Sequence, residues 1–170
     1  MIRYLQNVLQ DYRKCMMNKK KMFPVYIDLS DKKILVVGGG TIAERRIKSL
    51  SGFAGSIRVV APEVTEAIEE AASEGTIKWE KRKYISDDIL NTDIVLGATD
   101  STEVDNMIYN QCREKGIVVN ISSDKSKCDF HFPGLIQYED IVIGFNSGGN
   151  DHRKTRELRE KVQNFLEEEN

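Results

Sequence analysis

Short apolar, β-branched runs punctuate the chain from Met22 onward: Ile34–Val37, Ile57–Val60, Thr76–Trp79, Ile94–Leu96 and Val118–Asn120. Each has the length and composition of a buried strand. The intervening segments 41–53, 63–74 and 102–115 carry helical spacing, and 86–90 reads as a shorter helical turn. Strands alternating with helices imply βαβ units and a parallel sheet covered on both faces, and right-handed crossovers make that sheet doubly wound. After Asn120 the rhythm changes. Residues 122–127 are polar, and Phe130–Ile136 and Ile141–Asn146 read as a hairpin around Gln137-Tyr138-Glu139-Asp140. Ser147-Gly148-Gly149-Asn150 then breaks the chain before a charged helix over 152–168, with Leu158, Val162, Phe165 and Leu166 as its apolar stripe. The expected fold class is therefore α/β: a Rossmann-like doubly wound sheet over 22–121, then a small α+β unit over 122–170. Residues 1–21, with Leu5, Val8, Leu9 and Tyr12 at helical spacing before Lys19-Lys20-Lys21, read as a loosely attached extension; translation beginning at Met22 is the alternative.

The first strand runs directly into Gly38-Gly39-Gly40-Thr41-Ile42-Ala43 and then a helix. Gly38 permits a tight turn, Gly40 removes the Cβ that would hold a pyrophosphate away, and Ala43 is small enough for close helix–sheet packing. Free N–H groups at the helix start would face the phosphates. The pattern alone is common; its place between a strand and a helix gives it weight. A tight turn without ligand is the competing reading.

Composition narrows the function classes. The chain has 170 residues, 40% of them hydrophobic and 31% charged, with a formal net charge of −2. That balance provides no global basic field for nucleic acid or an anionic membrane. No apolar run approaches the roughly 20 residues of a membrane helix, and the first residues lack the continuous apolar core of a secretory signal. Cys15, Cys112 and Cys128 contain no C-x-x-C pair, so they read as plain thiols in a reducing cytoplasm.

The remaining candidates cluster at predicted carboxyl ends of strands, where open parallel sheets bind ligands. The second strand ends in Ala61-Pro62-Glu63. The acid that usually holds the cofactor ribose is missing from the tip, and Glu63 either substitutes for it or is a helix-start carboxylate. With no evident cation for a 2′-phosphate, NAD is expected over NADP. Thr99 and Asp100 follow the fourth strand and would border the cofactor, cap the next helix, or both. Asn120, Ser123 and Asp124 end the fifth strand, with Asp124 the best-placed carboxylate for proton transfer. His131 is placed in a strand opposite Phe130 and Phe132, and His131 and His152 are too far apart in sequence to suggest a metal site, so none is expected. Arg153, Lys154, Arg156 and Arg159 after the Ser147-Gly148-Gly149 turn would either bind carboxylates or form a solvated basic face balanced by Glu157 and Glu160.

These residues, taken together from Met22 to about Val162, resemble the precorrin-2 dehydrogenase / sirohydrochlorin ferrochelatase family, the N-terminal module of siroheme synthases. The pieces that carry the resemblance are Phe23-Pro24-Val25-Tyr26-Ile27-Asp28-Leu29, Val36 through Arg46, Ala98-Thr99-Asp100, Val119-Asn120, Cys128-Asp129-Phe130 with Pro133, and Ser147-Gly148-Gly149 with Arg156 and Arg159-Glu160-Lys161. The resemblance implies NAD-dependent oxidation of precorrin-2 to sirohydrochlorin, iron insertion in some members, and a homodimer formed through the second unit. It assigns Gly38, Gly40, Thr41, Ile42, Pro62, Glu63, Thr99, Asp100 and Asn120 to the cofactor. It assigns Ser147, Gly148, Arg156 and Arg159 to the carboxylates of the tetrapyrrole, and Ser123 and Asp124 to catalysis.

Three departures qualify it. The family aspartate after Val-Asn-x-x falls on Ser123, with Asp124 next, which argues against iron insertion more than against dehydrogenation. The usual Ser-Pro after Ser-Gly-Gly-x is Asp151-His152. No segment after Asn170 corresponds to the family's C-terminal helical lid. A different class of function, a non-catalytic nucleotide- or tetrapyrrole-binding carrier, is the alternative that the lid and Ser123 motivate.

Overall fold

The computed structural model describes residues 22–168; the expected N-terminal extension lies outside them. Residues Tyr26–Phe132 form one compact unit, and the described residues on either side belong to another.

In the first unit, strands β1 (Lys33–Val37), β2 (Ser56–Val60), β3 (Lys78–Glu80), β4 (Ile94–Gly97) and β5 (Val118–Ile121) form one sheet in the order β3-β2-β1-β4-β5. All its pairs are parallel. Helices α1 (Thr41–Leu50), α2 (Glu66–Ser73) and α3 (Thr102–Lys115) connect them, with a 3₁₀ turn at Ser86–Ile89 before β4. The continuous apolar strands follow from burial on two faces. Ile34, Val36, Ile57 and Val59 pack with Ala43, Ile47 and Ile68 of the helices on one side. Leu35, Val37, Val60, Val95 and Val119 pack with Ile108 and Cys112 of α3 on the other. The strand order reverses direction between β1 and β4, which opens the crevice where doubly wound sheets bind ligands.

Several boundaries differ from the sequence reading for identifiable reasons. The third strand begins at Lys78, not Thr76, because the Thr76 and Ile77 N–H groups both turn back to the Ala71 carbonyl. The second helix starts at Glu66, not 63, because Thr65 donates its N–H to Gly39 before the helix begins. The first helix ends at Leu50, short of 53. The unit extends past 121 to Phe132, because β5 holds the following segment: the Asp129 N–H donates to the Val119 carbonyl, and the Asn120 amide donates to the Phe130 carbonyl at 2.7 Å.

An ion cluster around one buried carboxylate ties β2, β3 and the 3₁₀ turn together. Asp88, with a side chain only 3% exposed, pairs with Arg58 and Arg82, and both arginines also reach Glu80. Asp88 further accepts the Ile85 N–H at 2.9 Å. Burial pushes its carboxyl upward, but the two guanidinium groups and that N–H outweigh burial and hold it down at about 2.

The second unit contains β6 (Gly134–Tyr138), β7 (Ile141–Phe145) and α4 (His152–Glu168), with β6 and β7 antiparallel. The hairpin is present, but its first strand begins at Gly134 instead of Phe130, and Gln137 and Tyr138 belong to the strand. His131 therefore lies outside the strand that the sequence suggested. Pro133 offers no N–H to a ladder, and Phe130 and Phe132 pack instead against the first unit's core. The turn is Glu139-Asp140, with Glu139 at φ +50. No residue of α4 is buried, and Leu158 and Phe165 on its apolar stripe are 53% and 58% exposed.

Candidate functional site

The glycine turn divides its labour among its three residues. Gly38 has φ +110, and an ideal Cβ on it would stand 2.2 Å from the Ala98 carbonyl oxygen. Its N–H donates to Val60, so β1, β2 and the end of β4 meet at this residue. Gly39 packs as tightly on the other side: a Cβ there would stand 2.1 Å from the Glu63 carbonyl oxygen. The sequence pattern gave Gly39 no role. Gly40 is the opposite case, because a Cβ built on it would meet no atom within 4 Å. It is the N-cap of α1 and offers no side-chain cap, so the first-turn N–H groups of the helix have no capping side chain. Thr41 and Ile42 are exposed beside it, whereas Ala43 is fully buried. An exposed, uncapped helix start behind an unobstructed glycine fits a dinucleotide diphosphate.

The close approaches gather the predicted cofactor residues. Pro62 and Glu63 are exposed on the loop that Gly39 touches. Glu63 is not a helix-start carboxylate, since Thr65 is the cap of α2. Ala61 at the β2 tip is buried, and its carbonyl accepts the Trp79 indole N–H at 3.0 Å. Thr99 and Asp100 follow Ala98 against Gly38. The Thr99 hydroxyl accepts the Ser101 N–H at 3.2 Å, and Ser101 caps α3 by accepting from Val104 at 3.4 Å. Asn120 is 3% exposed and spends its amide on the Phe130 carbonyl, so it holds the chain beyond β5.

The carboxylates beyond β5 are arranged differently from the sequence expectation. Asp124 accepts the Ser126 N–H and hydroxyl at 2.9 and 2.7 Å, capping the 3₁₀ turn Lys125–Lys127, and pairs with Lys127 at 3.3 Å. The Ser126 hydroxyl is the main cause holding its carboxyl below the ordinary range, which opposes a role as a base. Ser123 is exposed and donates its hydroxyl at 2.7 Å to Asp105, which is 2% exposed. The other Asp105 oxygen accepts the Thr99 hydroxyl at 2.8 Å. Asp105 thus joins the ends of β4 and β5. The sequence pattern gave Asp105 no role. Cys112 is pushed up to about 11 by burial, and burial raises Cys128 as well, so both thiols stay protonated near neutral pH. Among the described residues no group of three His, Cys, Asp or Glu could hold a metal ion.

The second unit carries the four predicted substrate residues. The Ser147 hydroxyl accepts the Asp151 N–H at 3.1 Å, and Gly148 (φ +66) and Gly149 (φ +73) form the turn. Asp151 accepts the Lys154 N–H at 2.9 Å, so the acid that replaces the family serine caps α4. Arg156 is exposed and pairs with Glu160 at 3.0 Å. Arg159 is half-buried beside Gly134 and donates to Gln163 at 2.9 Å.

The sheet order, the turn and the uncapped helix define a dinucleotide-binding α/β domain with a hairpin-and-helix unit. The family model described as "Putative NAD(P)-binding" matches residues 25–134. The precorrin-2 dehydrogenase of Bacillus subtilis (strain 168) is 32% identical, over 86% of this chain and 90% of that protein. The probable multifunctional siroheme biosynthesis protein of Ruminiclostridium josui is 38% identical over 83% of this chain, and the siroheme synthase of Actinobacillus pleuropneumoniae 30% identical over 84%. The chain spans only 28% and 29% of those two proteins' lengths. The solved structure of the precorrin-2 dehydrogenase SirC matches with a TM-score of 0.72 at 29% identity, covering 84% of this chain and 70% of that one. The chain belongs to the precorrin-2 dehydrogenase and siroheme synthase family, and its cofactor class is a nicotinamide dinucleotide.

Proposed function

We propose that this protein oxidises precorrin-2 to sirohydrochlorin with NAD, as a cytoplasmic homodimer. The observation that carries the reading is the open Gly40 cradle at an uncapped helix start, in a chain that covers 90% of a precorrin-2 dehydrogenase. The nicotinamide, when bound, supplies the hydride acceptor. Gly40, Thr41 and Ile42 would hold the diphosphate through backbone N–H groups. Pro62 and Glu63 would border the ribose, and Thr99 and Asp100 the crevice at the end of β4. Asn120 would support the crevice wall, Ser123 would face the substrate, and Asp124 would order the loop. Ser147, Gly148, Arg156 and Arg159 are assigned to substrate carboxylates, which guanidinium groups pair with well. Arg159 and Arg156 would exchange their glutamine and glutamate partners for substrate carboxylates.

The preference for NAD rests on the β2 tip. Arg58 on β2 and Arg82 just beyond β3 are already engaged by Glu80 and Asp88. Glu63 is the exposed acid on the loop beyond Ala61. Trp79, the single tryptophan, is bonded to Ala61 and so reports on that tip. Titration followed by its fluorescence should show NAD binding at least about tenfold more tightly than NADP, a difference of about 1.4 kcal/mol. Equal affinities would remove the preference. In an anaerobic assay, precorrin-2 with NAD should give sirohydrochlorin and stoichiometric NADH. Binding of both compounds without turnover would favour the carrier function instead.

The dimer is proposed from exposed apolar side chains. Within the second unit, Leu158 and Phe165 of α4 are 53% and 58% exposed. Large apolar side chains left exposed on a helix commonly mark an interface. Light scattering at micromolar concentration should give twice the chain mass, and a monomer there would refute the proposal.

A further inference from the structure

We propose that Asp105 is the positioning residue behind Ser123: it holds the Ser123 hydroxyl proton and receives it when Ser123 takes a proton from the substrate. The inference rests on the dehydrogenase reading above and names the group that makes its proton transfer work.

Four observations lead to it. Ser123 is exposed just beyond β5, while the carboxylate it donates to is only 2% exposed. A buried carboxylate needs donors, and Asp105 has hydroxyl partners on both oxygens, Ser123 at 2.7 Å and Thr99 at 2.8 Å. With its proton directed inward, the Ser123 oxygen presents only lone pairs outward, so it meets a ligand as an acceptor. The neighbouring alternative, Asp124, is occupied by Ser126 and Lys127. The pair also stands at the binding edge. The Ser122 N–H donates to Gly97 at the end of β4, and Thr99 follows Ala98, which lies against Gly38 of the glycine turn.

The step balances without a further reactant. Oxidation removes two hydrogens from the substrate, one as a hydride to the nicotinamide dinucleotide and one as a proton. The substrate X–H bond that loses the proton breaks as a bond to the Ser123 oxygen forms. The original Ser123 O–H bond breaks as one forms to Asp105. The carboxylate for this transfer thus comes from α3, through a serine, and not from the β5 loop itself.

Asp105→Asn keeps the size and one acceptor oxygen but removes the proton sink. It should lower kcat about a hundredfold, the usual span of a lost acid–base group, while KM and the calorimetric affinity for NAD stay within about twofold of wild type. The double variant Asp105→Asn, Ser123→Asp places the carboxylate at the exposed position and should recover at least about tenfold in kcat. If Asp105→Asn does not fold, Ser123→Ala carries the test and should show the same loss of kcat with NAD binding retained. Wild-type kcat in whichever variant folds would overturn the proposal. So would a loss that follows the melting temperature or NAD affinity, or a loss that the double variant does not recover, since each assigns Asp105 to structure alone. No turnover by the wild type, with NAD still bound, would overturn the dehydrogenase reading and this step together; wild-type turnover with an unaffected Asp105→Asn would overturn this step only.

Discussion

Gly38→Ala is expected to lower the melting temperature by roughly 10 °C, or to prevent folding, and to abolish dinucleotide binding with it. The residue sits at φ +110, where an alanine pays backbone strain, and its new Cβ would stand 2.2 Å from the Ala98 carbonyl oxygen. Neither neighbour is a flexible side chain that can swing away: the obstacle is the backbone that leaves β4. Strain of about 1–3 kcal/mol plus that overlap makes a cost near 3 kcal/mol a lower figure for the change. Gly40→Ala should behave in the opposite sense. Its Cβ enters open space, so the melting temperature should stay within a few degrees, while NAD affinity falls at least about tenfold because the Cβ occupies the diphosphate's approach. Thermal unfolding by circular dichroism and calorimetric titration of the two variants separate these effects. A Gly38→Ala protein as stable as wild type would contradict the packing described for the turn.

Asp88→Ala should be the second large effect, a loss of about 3 kcal/mol measured from urea midpoints near neutral pH. The substitution leaves Arg58 and Arg82 without their shared buried partner and frees the Ile85 N–H. The pH dependence has a definite sign. The Asp88 carboxyl lies at about 2 in the folded protein against an ordinary 3.8. Its contribution, on the order of 2 kcal/mol, is therefore complete above the unfolded value and fades as pH falls through 3.8 toward about 2. The stability gap between wild type and Asp88→Ala should narrow over that acid range. A gap that stays constant from about pH 6 down to about pH 2 would show that the ion cluster does not set it.

Much of the fold was legible because its signals are local. A β-branched run ending in glycine can hardly be anything but a buried strand leaving a sheet, and α3 is bounded as read because Ser101 caps one end and Gly116, at φ +67, the other. The start of the hairpin was not legible. Phe130–Ile136 has the composition of a strand, but Pro133 interrupts the ladder, and the partners of Phe130 and Asn120 are fixed by tertiary contacts that no short window contains. The candidate site divides in the same way. Gly38 and Gly40 stood out from spacing alone. Gly39 and Asp105 did not, because one depends on a loop after β2 and the other on a hydroxyl 18 residues away. Asp124 looked available only because its capping of the 3₁₀ turn is a matter of loop conformation.

An amide-resolved NMR titration with NAD tests the central claim most directly. Saturable shifts centred on Gly40, Thr41 and Ile42, with smaller ones at Gly38, Ala98 and Thr99, are the result expected of a diphosphate at the start of α1. Saturation with those amides unmoved, or no binding at millimolar dinucleotide, would contradict the account.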